Sequence, residues 1–420
     1  MLKGEARALG LSMVEFVGMM AILMALTALS VDIMLVVLPD IAAEFGLEDQ
    51  NQQQYMVTVY LAAFATGHVF AGPLSDRLGR RPVLLAGLVV YVAGSALAVV
   101  ADSYAMLLAA RAIQGFGAAG PRVVAVAVIR DLFVGRSMSQ VLSFVMTVFI
   151  MLPIVAPALG MAIAALGSWP PVFGFLFLVG AGTFVWVFLR LPETSARKGE
   201  GAAPPVPVLK AIATVAGSRQ SVGYMLALGL SFGCLLIYIA TSQQILVDIY
   251  GIVEWFPLVF ASVAGAMVVS TVVNARLVQR VGMRRLSHGA LLALVVLTAA
   301  AAGLKIVLPV FPLLLLIAFL ALSFFLIGVM LPNFNAIAME PLGHIAGTGS
   351  AFVGFAMTAL GALLGGVAGQ FYDGSIRPLV IGYLVYSVAA LGAVWVTERG
   401  RLLEPSPARV GAGDGAKIST

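Results

Sequence analysis

Twelve apolar segments, each near the length needed to cross a bilayer, recur along the 420-residue chain: 16–38, 54–74, 82–100, 104–127, 139–165, 171–190, 221–243, 255–277, 286–307, 309–337, 347–369 and 378–397. A helix rising 1.5 Å per residue needs about 20 apolar residues to cross a bilayer core ~30 Å thick. Barrel strands would be about half that long and strictly alternating, and no such alternation occurs. Only 10% of residues are charged and 61% are hydrophobic, with a mean hydropathy of +1.06, whereas a soluble domain carries about 25% charged residues. The expected fold is an all-α membrane protein of twelve transmembrane helices.

The first segment, Phe16 to Leu38, exceeds the ~7–15 apolar residues of a signal peptide and reads as a retained span. One cysteine, Cys234, permits no intrachain disulfide. The net charge of +5 invites a nucleic-acid reading, but the basic residues are placed as topology signals. With the N-terminus inside, the inner segments hold Lys3 and Arg7, then Arg77, Arg80 and Arg81, then Arg130 and Arg136. They continue with Arg190, Arg197, Lys198, Lys210 and Arg219, then Arg276, Arg280, Arg284 and Arg285, then Arg399, Arg401, Arg409 and Lys417. Only Lys305 and Arg377 fall outside, and Arg111 and Arg122 lie within a span. The positive-inside rule then puts both termini in the cytoplasm.

The longest polar interruption, 191–220, contains Pro204, Pro205 and Pro207 and divides six spans from six. This gives an N-terminal six-helix bundle over 1–190, a cytoplasmic linker over 191–220, a C-terminal bundle over 221–398 and a polar tail over 399–420, expected to be disordered. Arg77, Gly79 and Arg81 in "GPLSDRLGRRP" match Arg280, Gly282 and Arg284 in "ARLVQRVGMRR" at a constant offset of 203. Two parallel six-helix repeats place a substrate cavity between the halves.

One stretch, "RAIQGFGAAGPR" at 111–122, matches the glycine spacing of a dinucleotide-binding loop. Such a loop must follow a strand, open a helix and precede an acid about 20 residues on. These glycines instead lie within an apolar run, and Asp131 is only 11 residues past Gly120. Gly115 and Ala119 are expected to form a small packing face. Pro121 cannot donate to the Gly117 carbonyl, so a bend is expected between them. No lysine follows a glycine, so the P-loop pair is absent, and the three histidines and one cysteine are scattered. No cofactor, metal site, nucleic-acid partner or enzymatic activity is expected.

At "GPLSDRLGRRP" the chain resembles the signature loop of the major facilitator superfamily, G-x-x-x-D-R-x-G-R-R, with Gly72, Asp76, Arg77, Gly79, Arg80 and Arg81 in its places. "RAIQGFGAAG" is similar to that superfamily's fourth-span motif. "VIRDLF" at 128–133, "SVDIMLVVLPDIAAEFG" in the first span and "LPET" at 191–194 resemble the bicyclomycin/chloramphenicol-resistance branch of drug:proton antiporters. The fifth-span antiporter motif, G-x-x-x-G-P-x-x-G-G, is matched in part by "LPIVAPALGM": Pro157 and Gly160 fit and Pro153 stands nearby, while Leu152, Ala156 and Met161 replace glycines. By resemblance, Asp76 helps latch the halves on the cytoplasmic side; the alternative is an ordinary topogenic loop.

Ionisable residues inside spans mark ion pathways by default. Asp32 stands seven residues before Pro39, roughly 10 Å below the outer helix end, and Arg111 stands nine after Asp102, roughly 13 Å deep. At one level they can pair if their helices adjoin. Asp32 is read as the proton-exchanging carboxylate and Arg111 as its modulator, with a fixed buried salt bridge or a hydrated aspartate at the cavity mouth as the alternative. Arg122, roughly 12 Å from the inner end, and His68 at similar depth are candidates for a substrate-contacting polar layer. The alternatives are a snorkelling arginine and a helix-packing histidine. Glu15 reads as interfacial. In the second half Tyr238, Asn333 and Asn335 are cavity candidates, and Gly361, Gly365, Gly366 and Gly369 are helix-packing residues.

The expected activity is export of hydrophobic small molecules across a bacterial inner membrane in exchange for protons, by a monomer that alternates access around a central cavity. A proton-coupled exporter of a native metabolite is the second reading, with Arg122 favouring an anionic substrate. A membrane sensor or scaffold that transports nothing is the third.

Overall fold

The computed structural model describes residues 10–133, 136–194, 208–308 and 310–402. Twelve helices long and apolar enough to cross a membrane occur in it. We number them α1 (Met13–Asp32), α2 (Tyr55–Leu78), α3 (Arg80–Val99), α4 (Tyr104–Leu132), α5 (Arg136–Ala164), α6 (Pro170–Arg190), α7 (Arg219–Gln243), α8 (Phe256–Val281), α9 (Met283–Val307), α10 (Leu313–Met339), α11 (Ala346–Gln370) and α12 (Arg377–Thr397). Each expected span is found, and α2, α4 and α8 run on past their apolar segments to Leu78, Leu132 and Val281, because polar end turns keep their internal hydrogen bonds.

Span one differs from the uninterrupted segment expected. After α1 the chain passes through a turn and a tight 3-10 stretch, Leu35–Val37, into a short helix, Leu38–Glu44. Pro39 accounts for the break, because its ring lacks an N–H and clashes with the carbonyl four residues earlier. Span seven ends in a π-turn, Gln244–Ile249, a local widening that often marks functional positions.

Helices α1 to α6 pack chiefly on one another, as do α7 to α12, and across the halves α2 lies on α11 and α5 on α8. Glycines set these distances. In α11, a Cβ on Gly365 would stand 2.7 Å from Leu236, and one on Gly366 would stand 2.6 Å from Thr58 of α2. One helix thus abuts both its own half and the other. In α4, Gly115 lies against the Tyr60 backbone, and Ala119 fills the space beside Gly67. The small face expected there is a contact with α2. Pro121 lies inside one continuous helix.

The 203-residue offset has a structural counterpart. Gly79 links α2 to α3 at φ +104°, and Gly282 links α8 to α9 at φ +86°. Each is a one-residue hinge in a region that side chains disfavour. Within the linker, Val208–Gly217 is helical, and Ser218 caps α7 through the Ser221 N–H. Residues 195–207 of the linker and 403–420 of the tail, like the N-terminal Lys3 and Arg7, lie outside the described residues. The start of the tail is tied down. Gly400 donates to the Trp395 carbonyl at 2.9 Å, and the Leu402 carbonyl accepts from the His288 ring.

Candidate functional site

Asp32 is the last residue of α1, at the break in span one, and is 3% exposed. Gly160 of α5 meets the next residue: a Cβ there would stand 2.2 Å from the Ile33 carbonyl oxygen. The glycine of the fifth-span motif therefore packs against the break beside the acid. Pro153 and Pro157 lie inside the same continuous α5.

Arg111 does not pair with Asp32, although α1 and α4 are neighbours. Its guanidinium lies over the Tyr60 ring at 4.2 Å, donates through Nε to the Met56 carbonyl at 3.2 Å, and bonds Gln114 Oε1. Gln114 Nε2 in turn donates to Ser95 Oγ at 2.8 Å. Nearby, Tyr91 and Ser30 share a hydroxyl bond of 2.7 Å, bringing α3 to α1. Asp32 has no hydrogen-bond or ion-pair partner among the described residues. Depth along the two helices matched, but their rotation turns Arg111 toward α2 and α3. Gln114 was readable in the sequence by its position three residues after Arg111, on the same helical face.

Arg122 and His68 do come together, on a cavity of about 220 Å³ that reaches inward from the signature-loop end. Arg122 is half-buried, lies over the Phe149 ring at 4.6 Å and donates to the Met24 carbonyl at 3.4 Å. His68 bonds the Phe64 carbonyl through Nδ1 at 3.0 Å. The same cavity is bordered by Gly72, Asp76, Arg80 and Arg130, and across the halves by Ser350, Ala351 and Gly354 of α11.

The signature loop is engaged within its own half. Arg80 pairs with Asp76 at 2.5 Å and with Asp131 of α4 at 2.8 Å. Asp76 therefore does not latch the two halves in this conformation, because its charge is taken up four residues away while the cavity opens beside it. Glu193, from "LPET", accepts the N–H groups of Arg80 and Arg81 at 2.9 and 3.1 Å and so caps α3. A Cβ on Gly79 would stand 2.6 Å from that carboxylate. Arg81 reaches the Phe188 carbonyl at 2.6 Å, and Arg77 is exposed. At the edge of the same face, Glu15 pairs with Arg190 at 2.7 Å.

The second-half candidates do not join this cavity. Tyr238 is enclosed between the Phe260 and Phe324 rings at 5.6 and 5.3 Å. Asn333 donates to Asn274 Oδ1 and to the Val329 carbonyl, both at 2.7 Å. Asn335, two residues on, is turned to the opposite, exposed face of α10. The second half meets the cavity through the small residues of α11 instead.

At the opposite end, neutral amides tie the halves together. Asn51 Nδ2 donates to the carbonyls of Gln370 and Tyr372 at 3.2 and 2.9 Å, and Asn51 Oδ1 accepts from Gln244 Nε2 at 3.1 Å. Gln54 Nε2 donates to Gln244 Oε1 at 2.6 Å, and Gln370 Nε2 to the Asn51 carbonyl at 3.0 Å. Of these residues the sequence marks Gln244 only as a polar residue of the second-half cavity, and passes over Asn51, Gln54 and Gln370, since amides near helix ends look like ordinary solvated positions.

A sequence model described as Major Facilitator Superfamily matches residues 20–366. The chain is 28% identical over 372 residues to a bicyclomycin resistance protein homolog of Haemophilus influenzae, covering 87% of this chain and 91% of the relative. It is 31% identical over 221 residues to the multidrug resistance protein MdtL of Escherichia coli, covering 53% and 55% of the two. The solved structure of the human organic anion transporter MFSD10 (TETRAN) superposes with a TM-score of 0.63 at 20% identity, over 95% of this chain and 99% of that one, a likeness of fold.

Proposed function

Because the chain belongs to the Major Facilitator Superfamily, and is thus a multi-pass membrane transporter of small molecules rather than an enzyme, we propose that it exports hydrophobic drugs in exchange for protons across a bacterial inner membrane. The basic residues put the signature-loop end in the cytoplasm. The observation that carries the coupling is Asp32: a buried carboxyl without an ionic partner among the described residues, at a break in span one, against the glycine of the antiporter-like span five. A carboxyl so placed can exchange its proton with little rearrangement, because no salt bridge has to break first. The names of the relatives, which speak of bicyclomycin and multidrug resistance, support the drug class.

In this reading the amide ties close the outer end while the cavity receives substrate from the cytoplasm. Substrate binding and proton release then let α2 and α5 rock against α11 and α8, so that the outer end opens. The protein acts as a monomer, its two bundles 1–190 and 221–398 being the moving bodies. The test uses proteoliposomes with a pH dye in the lumen and a panel of hydrophobic antimicrobials outside. Wild-type protein should move protons only when a substrate moves. Asp32→Asn should abolish that flux while substrate exchange at equal concentrations persists. Substrate-driven proton flux in Asp32→Asn would assign the coupling elsewhere.

A further inference from the structure

The inner cavity has an imbalance of charge that neither the fold nor the proton site explains. Arg80 is neutralised twice, by Asp76 and Asp131. Asp76 is the acid on the cavity wall, and Arg80 already holds it. Two further arginines of α4 border the same space, Arg122 at its depth and Arg130 at its mouth. Neither has an ion-pair partner among the described residues. Eight residues separate them, roughly 12 Å along one helix.

Arg122 is the stranger of the two. A guanidinium carries five N–H donors in a planar fork, and among the described residues this one makes a single long bond, to the Met24 carbonyl. Its face rests on Phe149, which fixes the plane of the fork without neutralising it. A cation held inside a membrane protein without a counter-ion carries a desolvation penalty of several kcal/mol. An entering anion relieves that penalty, and a carboxylate matches the fork with two parallel hydrogen bonds. Met24 and Met146, whose polarisable side chains adapt to an apolar body, line the same cavity.

Resting on the transport reading above, we infer that Arg122, held by Phe149, anchors the carboxylate of an amphiphilic organic acid, with Met24 and Met146 of the cavity wall receiving its apolar part and Arg130 drawing the anion into the mouth. The cavity volume suits an acid of one or two fused rings. His68 offers Nε2 to a neighbouring polar group, since Nδ1 is committed to the Phe64 carbonyl. The substrate class is therefore aromatic or alkyl monocarboxylates rather than hydrophobic cations.

The experiment measures equilibrium binding to full-length protein in phosphatidylcholine nanodiscs, by isothermal titration. The probes are five aromatic monocarboxylates, nalidixate and salicylate among them, each paired with its methyl ester. The ester keeps the shape and removes the charge. At least one acid should bind wild-type protein tenfold or more tightly than its ester. Arg122→Gln should erase that preference while leaving ester affinity within twofold, and Arg122→Lys should restore part of it. Unchanged ester binding doubles as the check that the variant is folded. Equal binding of acid and ester by wild-type protein, an equal loss of both in Arg122→Gln, or no acid binding below 1 mM would overturn the assignment. So would displacement of the acid by added phosphatidylglycerol, which would give the site to a lipid headgroup. No gradient is present in this assay, so a failure of proton coupling leaves its outcome readable.

Discussion

Replacing Asn51 by alanine should open the end of the molecule opposite the signature loop. Three side-chain hydrogen bonds vanish with it: those from Nδ2 to the Gln370 and Tyr372 carbonyls and that from Gln244 Nε2. A neutral hydrogen bond contributes about 0.5–1.5 kcal/mol net, since water replaces the lost partner once the site is wet. The three together favour the closed end by about 1.5–4.5 kcal/mol, and each 1.4 kcal/mol is tenfold in population, so the shift lies between about tenfold and a thousandfold. Bulk apolar packing between α2 and α11 is untouched, so the fold should persist. The assay is distance measurement between spin labels at Glu48→Cys and Asp373→Cys, both exposed and on opposite halves. It is carried out in a Cys234→Ala background, because Cys234 is the single native cysteine. The closed protein should give a short distance, and Asn51→Ala should add a longer population in proportion to the calculated shift. Gln244→Ala removes two of the inter-half bonds and shares one with Asn51, so the double variant should shift the equilibrium by less than the sum. An unchanged distance distribution in Asn51→Ala would refute the view that these amides hold the end closed.

The other predictions concern packing and capping. Gly160→Ala forces a methyl against the Ile33 carbonyl, and overpacking of this kind costs about 1–3 kcal/mol. A lower melting temperature and slower substrate-driven proton flux are expected, whereas Gly174→Ala, which meets open space, should be silent in both. Glu193→Ala removes the carboxylate that accepts the Arg80 and Arg81 N–H groups; by analogy with other helix caps the loss is about 0.5–2 kcal/mol, read as a fall in thermal stability. Arg80→Ala leaves Asp76 and Asp131 facing each other without their cation. It should destabilise the protein by more than Arg77→Ala, whose side chain is exposed, and Asp131→Asn in the Arg80→Ala background should recover part of the loss in the same melting assay.

The sequence was most informative where one coordinate sufficed. Hydropathy counts residues along the bilayer normal, so all twelve spans were legible, and Gly79 and Gly282 were legible as a repeat at a constant offset, though not as the one-residue joints they form. Depth could be counted the same way, and Arg122 and His68, counted to a similar level, border one cavity. Rotation about the helix axis is a second coordinate that span length does not carry. It decides that Arg111 faces Tyr60 and Gln114 rather than Asp32, that Asn335 points away from Asn333, and that Tyr238 is closed in by rings. Conformation is a third. The signature Asp76 belongs to Arg80 while the inner cavity is open, and whether it crosses to the other half depends on a state that residue spacing cannot encode. The same limit explains why Asn51, Gln54 and Gln370 passed unnoticed and why Gln244 was read as a cavity residue rather than a tie between the halves. A neutral amide is conspicuous only when a second chain segment stands opposite it, and here the opposing segments lie some 190 to 320 residues apart. The charges within the spans are different. An arginine inside an apolar span must find electron-rich partners somewhere, and that demand is visible in the sequence before any partner is. Arg111 meets it with a ring, a carbonyl and an amide in its own half. Among the described residues Arg122 has only a ring and one distant carbonyl, so the remaining demand falls on whatever enters the cavity.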